Sequence, residues 1–157
     1  MITPDDRFIP SASVAILFSA LLVFAGPAAH AGRQTEAGPP DLSKVKSIAE
    51  SQHEIVMLLL EKKDYGKALS EANKIFQMSW PENQESVLLK ELLYLSDRFM
   101  HCEQAPLGLQ LLETNQGMFK KPSSQAAIWK EKGYLFKKMN QPDKALGCFR
   151  EAQRLEK

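Results

Sequence analysis

The stretch from Ala126 to Lys157 constrains the fold more than any other part of the chain. Trp129, Gly133 and Phe136 follow at intervals of four and three residues. Ala145, Phe149 and Ala152 repeat those intervals after a break at Asn140-Gln141-Pro142. Residues three and four apart share one face of a helix, so the spacing predicts two amphipathic helices folded back on each other. Asparagine tolerates the left-handed conformation that ends a helix, and proline suits the first turn of the next. Small residues at Gly133 and Ala145 let the two backbones approach, and the rings of Phe136 and Phe149 fill the space alongside. Truncating a buried aromatic of this kind costs about 3–5 kcal/mol.

The same alternation runs upstream. From Asp41 onward the apolar spacing is helical almost throughout, with no strict alternation long enough for a strand. The first helix starts at Asp41 or Ser43, or at a capping box formed by Ser47 and Glu50. It carries Ile48, Ile55, Val56, Leu58, Leu59 and Leu60 and ends near Lys62, before a turn at Lys63-Asp64-Tyr65. The second holds Ala68, Leu69, Ala72, Ile75 and Phe76; Pro81, which cannot continue a helix, can open the third. Val87, Leu88, Leu92, Leu95, Phe99 and Met100 follow, then a turn from Cys102 to Ala105, then Leu107, Leu109, Leu111 and Leu112. Gly117 and Pro122 punctuate the next loop, and Ser123 or Ser124 is the expected N-cap of the fifth helix. The expectation is an all-α chain of three helix-turn-helix hairpins, about 43–79, 82–116 and 123–157. One hairpin cannot bury its apolar stripe alone, so the hairpins must stack.

These residues resemble tetratricopeptide repeats, whose pattern is W-x2-L-G-x2-Y followed by an alanine and a more distant phenylalanine. In the third hairpin Trp129, Gly133 and Phe136 fill the first-helix slots and Ala145, Phe149 and Ala152 the second; only Lys132 stands where leucine is usual. The first hairpin keeps Asp64-Tyr65, Ala68 and Ala72 but has Gln52 for tryptophan and Val56 for glycine. In the middle hairpin Leu92, Leu95, Ser96, Phe99, Gly108 and Leu112 match in type, with the register left open. The small-residue slots at Ala68, Gly108 and Ala145 lie 40 and 37 residues apart, against the usual 34. The extra residues therefore fall near Trp80 to Glu85 and Gly117 to Pro122. The resemblance implies a short right-handed solenoid over residues 42–157.

It also implies a concave face lined by the first helix of each hairpin, where a protein or peptide partner would bind. Carried over by register, the contacts are His53, Met57 and Leu60 in the first hairpin. Lys90, Leu93, Asp97, Met100 and His101 supply them in the middle, and Lys130, Tyr134, Lys137 and Lys138 in the third. Such a groove is apolar and methionine-containing at one end and basic at the other, suited to an extended or helical peptide with an acidic part. It does not reproduce the family's carboxylate clamp, which needs a lysine and an asparagine where His53 and Met57 stand.

Nothing in the chain spells catalysis. His53 and His101 lie far apart, and HExxH, GxSxG, P-loop and dinucleotide-binding glycine patterns are missing. Glu61, Asp64 and Glu91 read as ordinary solvated charges. No cofactor, metal or small-molecule substrate is implied, and a net charge of +1 gives no reason to expect nucleic acid. Cys102, at the end of the third helix, and Cys148, on the sixth, are expected to stay unbridged because a solenoid holds those elements apart. Lys144, Arg150, Glu151 and Arg154 give the last helix a polar face that leaves Leu146 and Cys148 partly uncovered, an opening for self-association.

The N-terminal segment stands apart. Val14 to Ala25 is a twelve-residue apolar run, followed by Pro27 and by Ala29-His30-Ala31. That reads as a secretory signal peptide over 1–31, cleaved after Ala31, since a bilayer-spanning helix needs about 20 apolar residues. Asp5 and Asp6 against the single Arg7 depart from the usual basic leader, and an uncleaved membrane anchor is the alternative. Residues 32–41 form a Gly- and Pro-rich linker. The resulting expectation is an exported, periplasmic or secreted adaptor. The other reading is an assembly subunit of an envelope complex that docks through its terminal helix.

Overall fold

The computed structural model describes residues 41–157, so the signal-peptide and linker expectations lie outside the described residues. Six helices follow in order: α1 Leu42–Glu61, α2 Tyr65–Gln77, α3 Glu85–His101, α4 Ala105–Asn115, α5 Pro122–Lys138 and α6 Pro142–Leu155. No strand occurs among the described residues. Consecutive helices pair as α1 with α2, α3 with α4 and α5 with α6, and the pairs join through α2 on α4, α4 on α5 and α3 on α5. The residues in excess of the repeat length form short 3-10 turns, Glu82–Gln84 and Gln116–Met118, between the pairs.

The three pairs turn in the same way. Lys63, Glu103 and Asn140 have φ of 59°, 60° and 57°. The N–H of each bonds back to Leu60, Met100 or Lys137, and the N–H of the next residue reaches the carbonyl of Leu59, Phe99 or Phe136. This double closure satisfies the last carbonyls of the helix and offsets the roughly 1–2 kcal/mol that left-handed backbone costs a residue with a Cβ. Each left-handed residue stands five positions before a small one: Ala68, Gly108 and Ala145. That fixes the register the sequence left open: Val56, Ser96 and Gly133 are equivalent, as are Leu59, Phe99 and Phe136.

One helix start falls on a candidate residue and another does not. Asp41 caps α1, its Oδ1 accepting from Ser43 N at 3.0 Å, so Ser47 lies inside the helix rather than heading a capping box. Neither Ser123 nor Ser124 caps α5, which begins at Pro122. Glu85 of α3 does that work from another hairpin, its Oε1 accepting from Lys121 N at 3.1 Å and Ser124 Oγ at 2.6 Å. An anion at this position suits the positive end of the helix.

The core is continuous across the hairpins and includes Val56, Ile75, Leu92, Leu95, Phe99, Leu111, Leu112, Ile128 and Leu135. Trp129, Phe136 and Phe149 are only half-buried, unlike Phe99 and Leu112, the equivalents of Phe136 and Phe149 in the middle hairpin. The third hairpin matches the family pattern best and is the least covered of the repeats at those positions.

Candidate functional site

Between α1 and α3 lies a groove of about 730 Å³. Ile75, Trp80, Val87 and Leu88 give it apolar walls, and Tyr94 closes one side. Trp80 comes from the segment linking the first two hairpins and is anchored by its Nε1–H donating to Ile75 O at 2.7 Å. The rim carries both signs of charge, Lys46, Glu50 and Glu54 on α1 and Lys90 and Glu91 on α3. One bond spans the cleft: His53 Nδ1 and Glu91 Oε1 lie 2.6 Å apart, both side chains about a quarter exposed. Tyr94 stacks on the His53 ring with centroids 5.5 Å apart. Volume, apolar walls and a few placed polar groups are the ordinary make-up of a ligand-binding cleft.

Of the twelve residues expected to line a concave face, this groove brings together only His53 and Lys90. Leu60 is a correction: it is 3% exposed and belongs to the core, because its position faces inward in the first hairpin. Met57, Leu93 and Met100 are half-buried against the same core. Asp97 and His101 pair with each other, Nδ1 to Oδ2 at 3.2 Å, on successive turns of α3. Met100, His101 and Lys138 line a second, smaller hollow of about 170 Å³ at the far end of α3. The basic end expected in the third hairpin is partly neutralised. Lys130 pairs with Glu156 and Lys138 with Glu103, the latter at 3.0 Å, which leaves Lys137 exposed beside Tyr134.

Two carboxylates read as plain surface charges have defined partners. Asp64 caps α2 through Lys67 N, and the Lys67 side chain holds its carboxyl below the ordinary range. Glu91 is the partner of His53. Residue-by-residue reading also missed Trp80 and Tyr94. The surplus length between the first two hairpins was the available signal for Trp80, since a wide linker that carries an indole has to put it somewhere.

Two polar groups, one buried and one half-buried, lie between the second and third hairpins. Lys132, in the slot where leucine is usual, is 6% exposed, donates to Gln116 Oε1 at 2.7 Å and lies 4.8 Å from the Trp129 ring centroid. Burial pushes its ammonium below the usual lysine range. Glu131, nearby on α5, accepts from Ser96 Oγ at 3.2 Å, and burial raises its carboxyl. Cys148 corrects a second expectation: it is buried at 4% exposure rather than partly uncovered, and desolvation raises its thiol. Cys102 is half-buried, and both thiols are free.

No family model, curated protein or solved structure matches the chain. No helix among the described residues is long and apolar enough to cross a membrane.

Proposed function

We propose that the chain is a short right-handed tetratricopeptide-like solenoid that works as an exported protein-binding module. In this reading the α1–α3 groove takes up a segment of a protein partner. The observation that carries it is the 730 Å³ cleft with Trp80 and Leu88 in its walls and charges of both signs on its rim. Three turns built on one pattern, at Lys63, Glu103 and Asn140, support the repeat reading. The guest that fits has an apolar side chain to set against the indole, flanked by polar groups that meet Lys90 on one side and Glu50 or Glu54 on the other. A preformed cleft on helices of adjacent hairpins needs little reorganisation on binding, which lowers the ordering cost.

Affinity capture from an envelope fraction with the whole chain as bait tests this. Val87→Glu and Tyr94→Ala change exposed groove residues, 45% and 44% exposed, and should abolish recovery of a specific partner. Tyr134→Ala with Lys137→Glu, on the third hairpin, should leave that recovery intact. A partner lost with the third-hairpin variant and kept with both groove variants would move the site to the expected basic end and overturn the groove assignment.

A further inference from the structure

Among the described residues, the large apolar side chains left exposed outside the groove, to which Val87 and Tyr94 belong, lie on the first and third hairpins. On α1, Ile48, Ile55 and Leu58 are 47%, 43% and 54% exposed and lie on one face with Ser51. Aligned through the left-handed turn residues, those positions correspond to Leu88, Leu95 and Arg98 in α3 and to Gln125, Lys132 and Leu135 in α5. Leu88, Leu95 and Leu135 are 4%, 0% and 0% exposed. In α5 this is the face that packs on the preceding hairpin: Leu135 lies against Gly108 and Lys132 bonds Gln116. The α1 stripe is therefore the inter-hairpin face of a repeat, with no hairpin among the described residues set against it.

The opposite end is its complement. Leu146 is 48% exposed on α6, whereas its equivalent Leu69 is 8% exposed and Leu109 packs on the core. Phe136 and Phe149 beside it are half-buried, where their middle-hairpin equivalents Phe99 and Leu112 are fully covered. This is the surface on which a following first helix would sit.

We propose that copies of this chain join end to end, the α1 stripe of one docking on the α5–α6 face of the next. The contact repeats the junction already present between the second and third hairpins. By register it puts Leu58 of one copy over Ala145 of the other, as Leu135 lies over Gly108. A second copy is the occupant because the two faces are, by register, the two sides of the junction that joins the second hairpin to the third. Each has the register that the other lacks. Such a contact is head-to-tail and does not close on itself unless the rotation permits, so it produces growing oligomers rather than a fixed dimer. It does not involve the groove and stands or falls separately from the groove reading.

Sedimentation of the full chain over a range of concentrations tests it, with Ile55→Glu at one end and Leu146→Glu at the other. Both positions are exposed, and circular dichroism is to check that each variant is folded; Leu58→Glu replaces Ile55→Glu if that variant is not. The wild type should grow in mass with concentration, and each variant alone should be monomeric. An equimolar mixture should form one-to-one dimers, since each variant keeps the face that the other has lost. A wild type monomeric throughout overturns the proposal, as do variants that both still assemble, which would place the contact outside these two faces. Loss in Leu146→Glu alone, with no rescue on mixing, would show a symmetric tail-to-tail dimer and overturn it as well.

Discussion

A Cβ placed on Gly108 would stand 2.9 Å from the backbone oxygen of Ser96. The two helices of the middle hairpin cross here, and the obstruction is main chain that cannot swing aside. At the matching crossing of the third hairpin the close approach is of another kind. A Cβ on Gly133 would meet Cε1 of Phe149 at 2.6 Å, the far end of a half-buried side chain rather than main chain. Alanine gains about 1 kcal/mol over glycine in a helix, and overpacking costs about 1–3 kcal/mol where nothing can move. Gly108→Ala should therefore lower stability by about 1–2 kcal/mol, while Gly133→Ala should be close to neutral. In a Phe149→Ala background, Gly133→Ala should become stabilising. Urea denaturation checks the order, and equal losses at the two glycines would refute the packing account.

That contrast shows where the sequence was readable and where it was not. The small residues at Gly108, Gly133 and Ala145 announced close crossings, and the helical spacing announced six helices, because both depend on neighbours along the chain. Asn140 advertised its left-handed turn; Lys63 and Glu103 did not, since their side chains disfavour it and only the helix-end hydrogen bonds hold them there. Leu60 looked like a groove residue because register gives the direction of a side chain but not how far apart adjacent hairpins stand. The same ignorance of spacing hid the cleft that Trp80 and Tyr94 line. Ser124 looked like a cap, and the actual cap comes from Glu85, 39 residues away.

The Glu85 contact makes a prediction about acid. The Ser124 hydroxyl, followed by the N–H of Lys121, holds the Glu85 carboxyl below its ordinary 4.5 even though burial opposes this. A carboxyl depressed in the folded state contributes stability that is complete above 4.5 and is lost as pH falls below it. Glu85→Ala should cost about 1 kcal/mol near neutral pH, the usual loss for a helix cap. Glu85→Gln keeps an acceptor oxygen and should lose less, while removing this part of the acid dependence. Thermal melts from neutral pH to pH 3 test it, and an unchanged acid limb in Glu85→Gln would rule it out.

Lys132 should respond in the opposite direction to size and charge. Its ammonium is buried between α4 and α5 with one hydrogen bond, to Gln116, and Glu113 4.0 Å away. Replacing a buried charge by an apolar side chain of similar volume is often neutral or stabilising by about 1–4 kcal/mol. Lys132→Leu, which restores the repeat pattern, should stabilise by about 1 kcal/mol. Lys132→Ala leaves a void and should destabilise. Burial disfavours the proton on Lys132, so the wild type gains stability as pH climbs from the depressed folded value toward the ordinary 10.5. Lys132→Leu should remove that gain. Guanidinium unfolding at neutral and alkaline pH would expose the error if the leucine variant were the weaker protein at both.

The bond between His53 and Glu91 is the one polar link from α1 to α3 across the groove among the described residues. Both side chains are about a quarter exposed, so water screens them and the coupling should be modest, about 0.5–1 kcal/mol at low salt. Ionic strength separates an ion pair from a neutral hydrogen bond, since attraction between charges weakens as the Debye length shrinks. A double-mutant cycle on His53→Ala and Glu91→Ala should return that coupling at low salt, and less of it in molar salt. The Tyr94 ring stacked on His53 contributes packing that the cycle cancels, because it remains in every variant except as His53 is removed with or without Glu91. The link is expected to fix the spacing of α1 and α3 at the groove. Breaking it should raise amide exchange in the first turns of α1 and α3 while leaving α5 and α6 protected. Zero coupling at low salt, with uniform exchange across all six helices, would mean that the first two hairpins are held by their core alone and that the pair does not set the groove.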